Sequence, residues 1–272
     1  MNDAATTTKP TTISIAGADL EILDRGSGAP IVFLQSSQGI TAAEPFLALL
    51  AKNRRVIAPS HPGFGKSELP RHLTTVDDLS YFYLDFIEEL GLKDVVLVGV
   101  SLGAWIAAEL AVKNAQRLSA LVLVSAVGAK FGERESSDIL DVFTQPRARL
   151  EELYFHDERH ARKDASALSD EELETIARNN ESAAHFTWMP YMHNPKLRSR
   201  LHRIRIPSLV VWGAGDRIAP PDYGQKFAAA IPGARFEKLE AAGHFPHIEQ
   251  PDALAARVLE FSGVRRTAGA TP

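Results

Sequence analysis

The chain has 272 residues, 45% of them hydrophobic, enough to bury one sizeable core; it has no cysteine, which excludes a disulfide framework, a thiolate nucleophile and a cysteine metal site. A formal charge of -4 and a pI near 6.1 leave no broad basic surface, so nucleic acid and anionic membranes are excluded as main partners and a small molecule is expected. Nine histidines would permit a metal, but no His-Glu-x-x-His arrangement occurs, so neither metal nor cofactor is expected.

Residues 1–11 contain no apolar signal-peptide run and are expected as a disordered lead, as are residues 264–272 as a tail. No stretch approaches the ~18 to 20 apolar residues that span a bilayer, so a cytoplasmic protein without membrane insertion is expected. "ISI" and "LEIL" flank Ala16-Gly17-Ala18-Asp19 and predict a hairpin. The runs "IVFL", "RVIA", "VVLV" and "LVLV" that follow are short, continuously apolar and largely β-branched, the pattern of parallel strands buried on both faces. Helical spacing lies between them, over roughly 41 to 52, 75 to 91 and 102 to 115.

After residue 124 this rhythm stops. From Ala129 to Arg205 the sequence is charged, aromatic and helical, with a capping box at Ser169-Asp170-Glu171-Glu172 predicting a helix to about Asn180. Strand character returns at "SLVVW" (208 to 212) and "ARFEKLE" (234 to 240), each followed by a helix. The reading is an α/β core over 12–128 and 206–263, interrupted by a helical cap (lid) over 129–205.

Chemistry concentrates where strands end. "VVLV" leads through Gly99-Val100-Ser101-Leu102-Gly103 straight into a helical run, and Gly-x-Ser-x-Gly between a buried strand and a helix is the context that lifts a serine hydroxyl above a sheet edge. The glycines fit a turn where helix and strand backbones converge. A serine at its ordinary pKa is a poor nucleophile and needs a base and an orienting carboxylate. "SLVVW" ends in Gly213-Ala214-Gly215-Asp216 and "ARFEKLE" in Ala241-Ala242-Gly243-His244, giving serine, acid, histidine in chain order. Ser125-Ala126-Val127-Gly128, after the preceding strand, offers no rival acid; Asp222 reads as the start of a helix; His247 reads as a pocket or surface histidine. A competing motif, Gly65-Lys66-Ser67, matches the end of a phosphate-binding loop, but Ser60 stands where that loop needs a glycine, and Glu68-Leu69-Pro70 starts no helix.

Over residues 12 to 263 the chain resembles the capped α/β-hydrolases, a family of esterases, lactonases and hydrolases that cleave carbon-carbon bonds of ring-fission diketones; "GVSLGAW", "WGAGDRIAPP", "AAGHFPHIEQP" and "SHPGFGKSELP" carry the resemblance. It implies an α/β-hydrolase fold, a mostly parallel eight-stranded sheet flanked by helices with a helical cap after strand 6. It also implies Ser101 as nucleophile, His244 as base and Asp216 as its orienting acid. The fourth stretch departs from the family's Asp-x-x-Gly-x-Gly-x-Ser by having Ser60 for the aspartate.

The resemblance further implies an oxyanion hole made by the backbone N-H of Leu102 and one from the loop after the first crossover strand, "QSSQG". The family usually has His-Gly there. This places Gln35 and Ser36 in the pocket floor and Ser37 as the second donor; a positive φ at Ser36 would cost on the order of 1 kcal/mol. The cap is expected to supply an apolar pocket, best represented in "HFTWMPYMH" by Phe186, Trp188, Met189 and Met192. The expected function is hydrolysis of a small, largely apolar carboxylic ester through an acyl-serine. The alternatives are a carbon-carbon hydrolase of a ring-fission diketone and a non-catalytic binder of a small ligand.

Overall fold

The computed structural model describes residues 10–133, 135–161 and 165–263, so the expected lead and tail lie outside the described residues except for Pro10 and Thr11. Thr11 already pairs with Ile22, opening the hairpin of β1 (Thr11–Ile15) and β2 (Ala18–Arg25). Ala16 and Gly17 turn it with φ of 49° and 77°, the left-handed pair that matches the twist of a tight hairpin.

The remaining large strands are β3 (Pro30–Leu34), β4 (Arg55–Pro59), β5 (Val95–Val100), β6 (Leu118–Val124), β9 (Ser208–Gly213) and β10 (Arg235–Leu239). They form one eight-stranded sheet in the order β1-β2-β4-β3-β5-β6-β9-β10. Only the β1/β2 and β2/β4 pairings are antiparallel. The short parallel pair β7 (Gly128–Ala129) and β8 (His193–Asn194) stands apart from this sheet.

The continuously apolar strands are buried on both faces because helices cover both. On one face lie α3 (Val76–Glu89), α4 (Leu102–Lys113) and α8 (Pro221–Ala229), whose Phe86, Leu110 and Phe227 pack with Leu97 and Leu121. On the other lie α2 (Glu44–Ala51) and α10 (Pro251–Gly263), whose Leu47 and Val258 pack with Val96, Val98 and Val122. Successive residues of β5 thus serve different layers. The helix expected over 41 to 52 is divided into α1 (Gly39–Ala42) and α2, because Pro45 in the first turn of α2 has no N-H to continue the ladder.

The segment expected as a helical cap contains α5 (Arg147–Tyr154), α6 (Asp170–Thr187) and α7 (Leu197–Arg200). Ser169 and Glu172 form the expected capping box, but α6 runs seven residues past Asn180. Tertiary contacts carry it on: Asn179 Oδ1 accepts from Gly65 N at 2.9 Å, and Ser182 Oγ donates to Gly63 O at 2.7 Å. One more short helix, α9 (Pro246–Glu249), follows β10.

Candidate functional site

Ser101 stands between β5 and α4 with φ 52° and ψ -111°, a backbone conformation that costs a non-glycine residue about 1 to 3 kcal/mol. Its surroundings enforce it. Ser101 N donates to Val124 O at 2.9 Å, and its carbonyl accepts from Ala104 N and Trp105 N, each at 3.1 Å. A Cβ on Gly99 would lie 2.4 Å from Gly103 O, and one on Gly103 would lie 2.0 Å from Leu34 O. The two motif glycines are therefore the contact through which α4 leaves the sheet and crosses the end of β3.

The acid and the histidine arrive on neighbouring strands. Asp216 Oδ1 accepts from Ile218 N and Ala219 N, both at 2.9 Å, leaving Oδ2 to accept from His244 Nδ1 at 2.8 Å. Because a carboxylate only accepts, Nδ1 carries the proton, and His244 Nε2 is free to accept from Ser101 Oγ at 2.9 Å. Ser101, Asp216 and His244 are 5%, 4% and 1% exposed, so the chain of hydrogen bonds lies in a water-poor setting. The loops carrying acid and base touch backbone to backbone: a Cβ on Gly213 would sit 2.0 Å from Gly243 O.

Leu102 N-H is the first amide of α4 and has no partner within the helix. Opposite it the loop after β3 folds into a turn in which Ser36 Oγ accepts from Gln38 N at 3.2 Å and Ser36 O accepts from Gly39 N at 3.2 Å. Ser36 is not left-handed; the positive φ in this turn, 85°, falls on Gly39. The strain expected at Ser36 therefore does not arise. Ser37, between the residues of this turn, is half-buried.

A cavity of about 70 Å3 opens beside this loop, lined by Ser37, Gln38, Arg147, Tyr154, Asn179 and Asn180 among others. Its wall is mostly polar and includes none of the six residues expected for the pocket. Phe186 and Met189 instead line a groove of about 800 Å3 with Trp105 and Glu109, about one and two helical turns along α4 from Ser101. Trp188 and Met189 are 60% and 82% exposed, and Met192 lines a third cavity with Tyr191. The physical reason is the length of α6, which carries the start of "HFTWMPYMH" within a helix and ends at Thr187, leaving Trp188 and Met189 exposed just beyond it. Gln35 and Ser36 are fully buried, and neither polar atom of the Gln35 side-chain amide has a hydrogen-bond partner among the described residues.

Several residues that frame the site have no motif to announce them. His61 is fully buried and bridges Tyr83 and Gln35: a carbonyl can only accept, so His61 Nε2 donates to Gln35 O at 2.9 Å and Nδ1 accepts from Tyr83 Oη at 2.6 Å. Burial pushes its pKa down to about 4, partly offset by the bond to Gln35. Its signal in the sequence was only its place in "SHPGFG", at the end of the strand beside β3. Ser60, in the position of the family aspartate, donates to Glu21 Oε2 at 2.6 Å, and Lys66 N donates to the same oxygen at 3.2 Å, so β2 supplies the carboxylate that the loop lacks. His247 is a core residue rather than a pocket or surface one: it is fully buried near Phe33 and Phe245, and burial, with His244 adding to it, lowers its pKa to about 3. His185 and His193 bond to the carbonyls of Leu73 and Tyr191.

Among the described residues no group of three or more His, Cys, Asp or Glu side chains is placed to hold a metal ion, and no helix is long and apolar enough to cross a membrane.

A family model described as alpha/beta hydrolase fold matches residues 36–251. The chain is 29% identical over 267 residues to the putative non-heme bromoperoxidase BpoC of Mycobacterium tuberculosis, covering 88% of this chain and 95% of that protein. It is also 29% identical over 267 residues to a 2-hydroxymuconate semialdehyde hydrolase of Pseudomonas putida, covering 92% of each. Its structure resembles that of a thermophilic esterase from Thermogutta terrifontis with a TM-score of 0.75, at 22% identity over 93% of this chain and 98% of that one.

Proposed function

The chain belongs to the α/β-hydrolase fold family, and from that premise we propose that it is a serine hydrolase working through an acyl-enzyme on a small carboxylic ester or related acyl compound. The observation that carries this reading is the continuous hydrogen-bond chain from Ser101 Oγ through His244 to Asp216 Oδ2. In the proposed reaction His244 Nε2 takes the Ser101 proton as Oγ bonds to the acyl carbon. Asp216 holds the imidazole in the required tautomer and stabilises its charged form. The oxyanion forms between the N-H groups of Leu102 and Ser37, where the N-terminal end of α4 adds its dipole. Collapse of the tetrahedral intermediate breaks the bond to the leaving group, which departs with the proton from His244. Water, deprotonated by the same ring, then attacks the acyl-serine, releases the acid and restores Ser101.

A second reading is cleavage of a carbon-carbon bond in a ring-fission diketone. It is favoured by the activity for which the P. putida relative is named; the cavity beside Ser37 offers Arg147, Asn179 and Asn180 as polar contacts, with Glu151 beside them. Turnover of p-nitrophenyl esters of graded chain length, compared with turnover of a ring-fission dienone, separates the two. The first reading expects kcat/KM to be highest on a short ester and to vanish in Ser101→Ala. A dienone turned over far faster than any ester would transfer the assignment to carbon-carbon cleavage.

A further inference from the structure

The histidine loop is fastened to the cap as well as to the sheet. His244 N-H donates to Tyr154 O at 2.7 Å, where the chain leaves α5. The preceding amide, Gly243 N-H, donates to Glu249 Oε2, while Glu249 Oε1 accepts from His156 N at 2.7 Å and Asp157 N at 2.9 Å. One carboxylate, 8% exposed, thus gathers three backbone donors from two segments far apart in sequence. The segments are in direct contact there: a Cβ on Gly243 would lie 2.5 Å from Tyr154 O and 2.8 Å from His156 N. On the acid side Arg217, next to Asp216, donates to the carbonyls of Phe155 and Glu152.

We propose that Glu249 is a positioning residue for His244 and that the cap segment Tyr154–Asp157, held by it, is a fixed part of the scaffold that keeps His244 between Ser101 and Asp216. The inference rests on the serine-hydrolase reading. Glu249 lies at the end of α9, whose turn begins beside His244, so its side chain reaches back over that turn to Gly243. Hydrogen bonds to an ionised carboxylate are among the stronger ones available to a backbone amide. The His244 ring must satisfy two bonds at once, 2.9 Å to Ser101 and 2.8 Å to Asp216, and a backbone shift near 1 Å would break one of them. Without Glu249 the amides of buried Gly243 and of His156 and Asp157 nearer the surface lose their acceptor together.

The test compares wild type, Glu249→Gln, Glu249→Asp and Ser101→Ala, with circular dichroism and melting temperature as folding controls. Glu249→Gln keeps size and one acceptor oxygen but presents an amide N-H to donors. It is expected to lower kcat on a p-nitrophenyl ester and the rate of fluorophosphonate labelling ~10- to 100-fold, with KM within threefold. Glu249→Asp, which keeps both acceptor oxygens, is expected to recover to within tenfold of wild type. Labelling of Glu249→Gln at the wild-type rate, or a loss confined to KM, overturns the inference alone. A wild type that labels no better than Ser101→Ala overturns the hydrolase reading and the inference with it. If Glu249→Gln does not fold, hydrogen exchange of the wild type decides: peptides covering 154–157 and 243–244 are expected to be protected together, and rapid exchange of either in a protein that still labels overturns the proposal.

Discussion

Replacing Gly103 by alanine perturbs the contact on which the geometry of the site rests. The added Cβ would stand 2.0 Å from Leu34 O and 2.5 Å from Gln35 O, both backbone atoms that cannot swing aside as a side chain would. Ordinary contact begins at 3.4 Å, so the first turn of α4 and the end of β3 must separate by about 1.4 Å. Overpacking of this kind costs ~1 to 3 kcal/mol, a fall of roughly 2 to 12 °C in melting temperature for a chain of this size. Activity should suffer more than stability, because the two sides forced apart carry the proposed oxyanion donors, Leu102 on α4 and Ser37 beyond β3. Displacement by about 1 Å, or loss of one donor, costs ~10²-fold or more, and the loss belongs in kcat because the oxyanion exists only in the transition state. The assay is kcat and KM on the best p-nitrophenyl ester beside a thermal melt. Gly263→Ala serves as control, since a Cβ there meets nothing within 4 Å among the described residues. If Gly103→Ala retains kcat within threefold and an unchanged melting temperature, the close approach of α4 to β3 is not the constraint described.

Asp216→Asn keeps an acceptor oxygen for Ile218 and Ala219 but turns an amide N-H toward His244 Nδ1, favouring the wrong tautomer; steady-state kinetics should show kcat reduced ~10³- to 10⁴-fold in a folded protein. His61 and His247 are neutral when folded, with pKa values of about 4 and about 3, so as pH falls below 6.5 the unfolded chain takes up protons first. Their contribution is complete above pH 6.5 and is lost as pH drops from there toward 4 and 3 respectively, by about 2 kcal/mol per ring at pH 5. Urea titrations at pH 7.5 and pH 5 check this: His247→Leu, which also removes two buried ring nitrogens without partners among the described residues, should lose about 2 kcal/mol less than wild type between the two pH values. An equal loss in both proteins would refute that assignment. Glu21→Ala removes the acceptor of Ser60 Oγ and Lys66 N and should destabilise the protein by ~1 to 3 kcal/mol in the same titration.

What the sequence makes legible follows from how local the cause is. Strands β3, β5 and β6 are continuously apolar because both their faces are covered, and that pattern is visible without knowing what covers them. Ser101, Asp216 and His244 are each announced by a strand ending in a glycine-bearing turn, buried for β5 and β9 and at the sheet edge for β10, and the structure brings the three into one chain of hydrogen bonds. The pocket was not legible. Where Trp188 and Met189 point depends on how far α6 continues, and that depends on Asn179 and Ser182 meeting residues 63 to 65, more than a hundred positions away. The same holds for Glu249, whose three amides come from segments 6 and 93 residues distant, and for Glu21, which supplies to Ser60 a carboxylate from another strand. At Ser36 a family pattern suggested a backbone strain that the turn avoids by placing its left-handed residue at Gly39.

The most direct test of the central claim is the intact mass and peptide map of the protein after brief exposure to a fluorophosphonate. One adduct per chain located on Ser101, formed in wild type, lost in Ser101→Ala and slowed at least a hundredfold in His244→Ala, is the result this account requires. An adduct on another residue, or labelling of wild type that is no faster than that of His244→Ala, would contradict it.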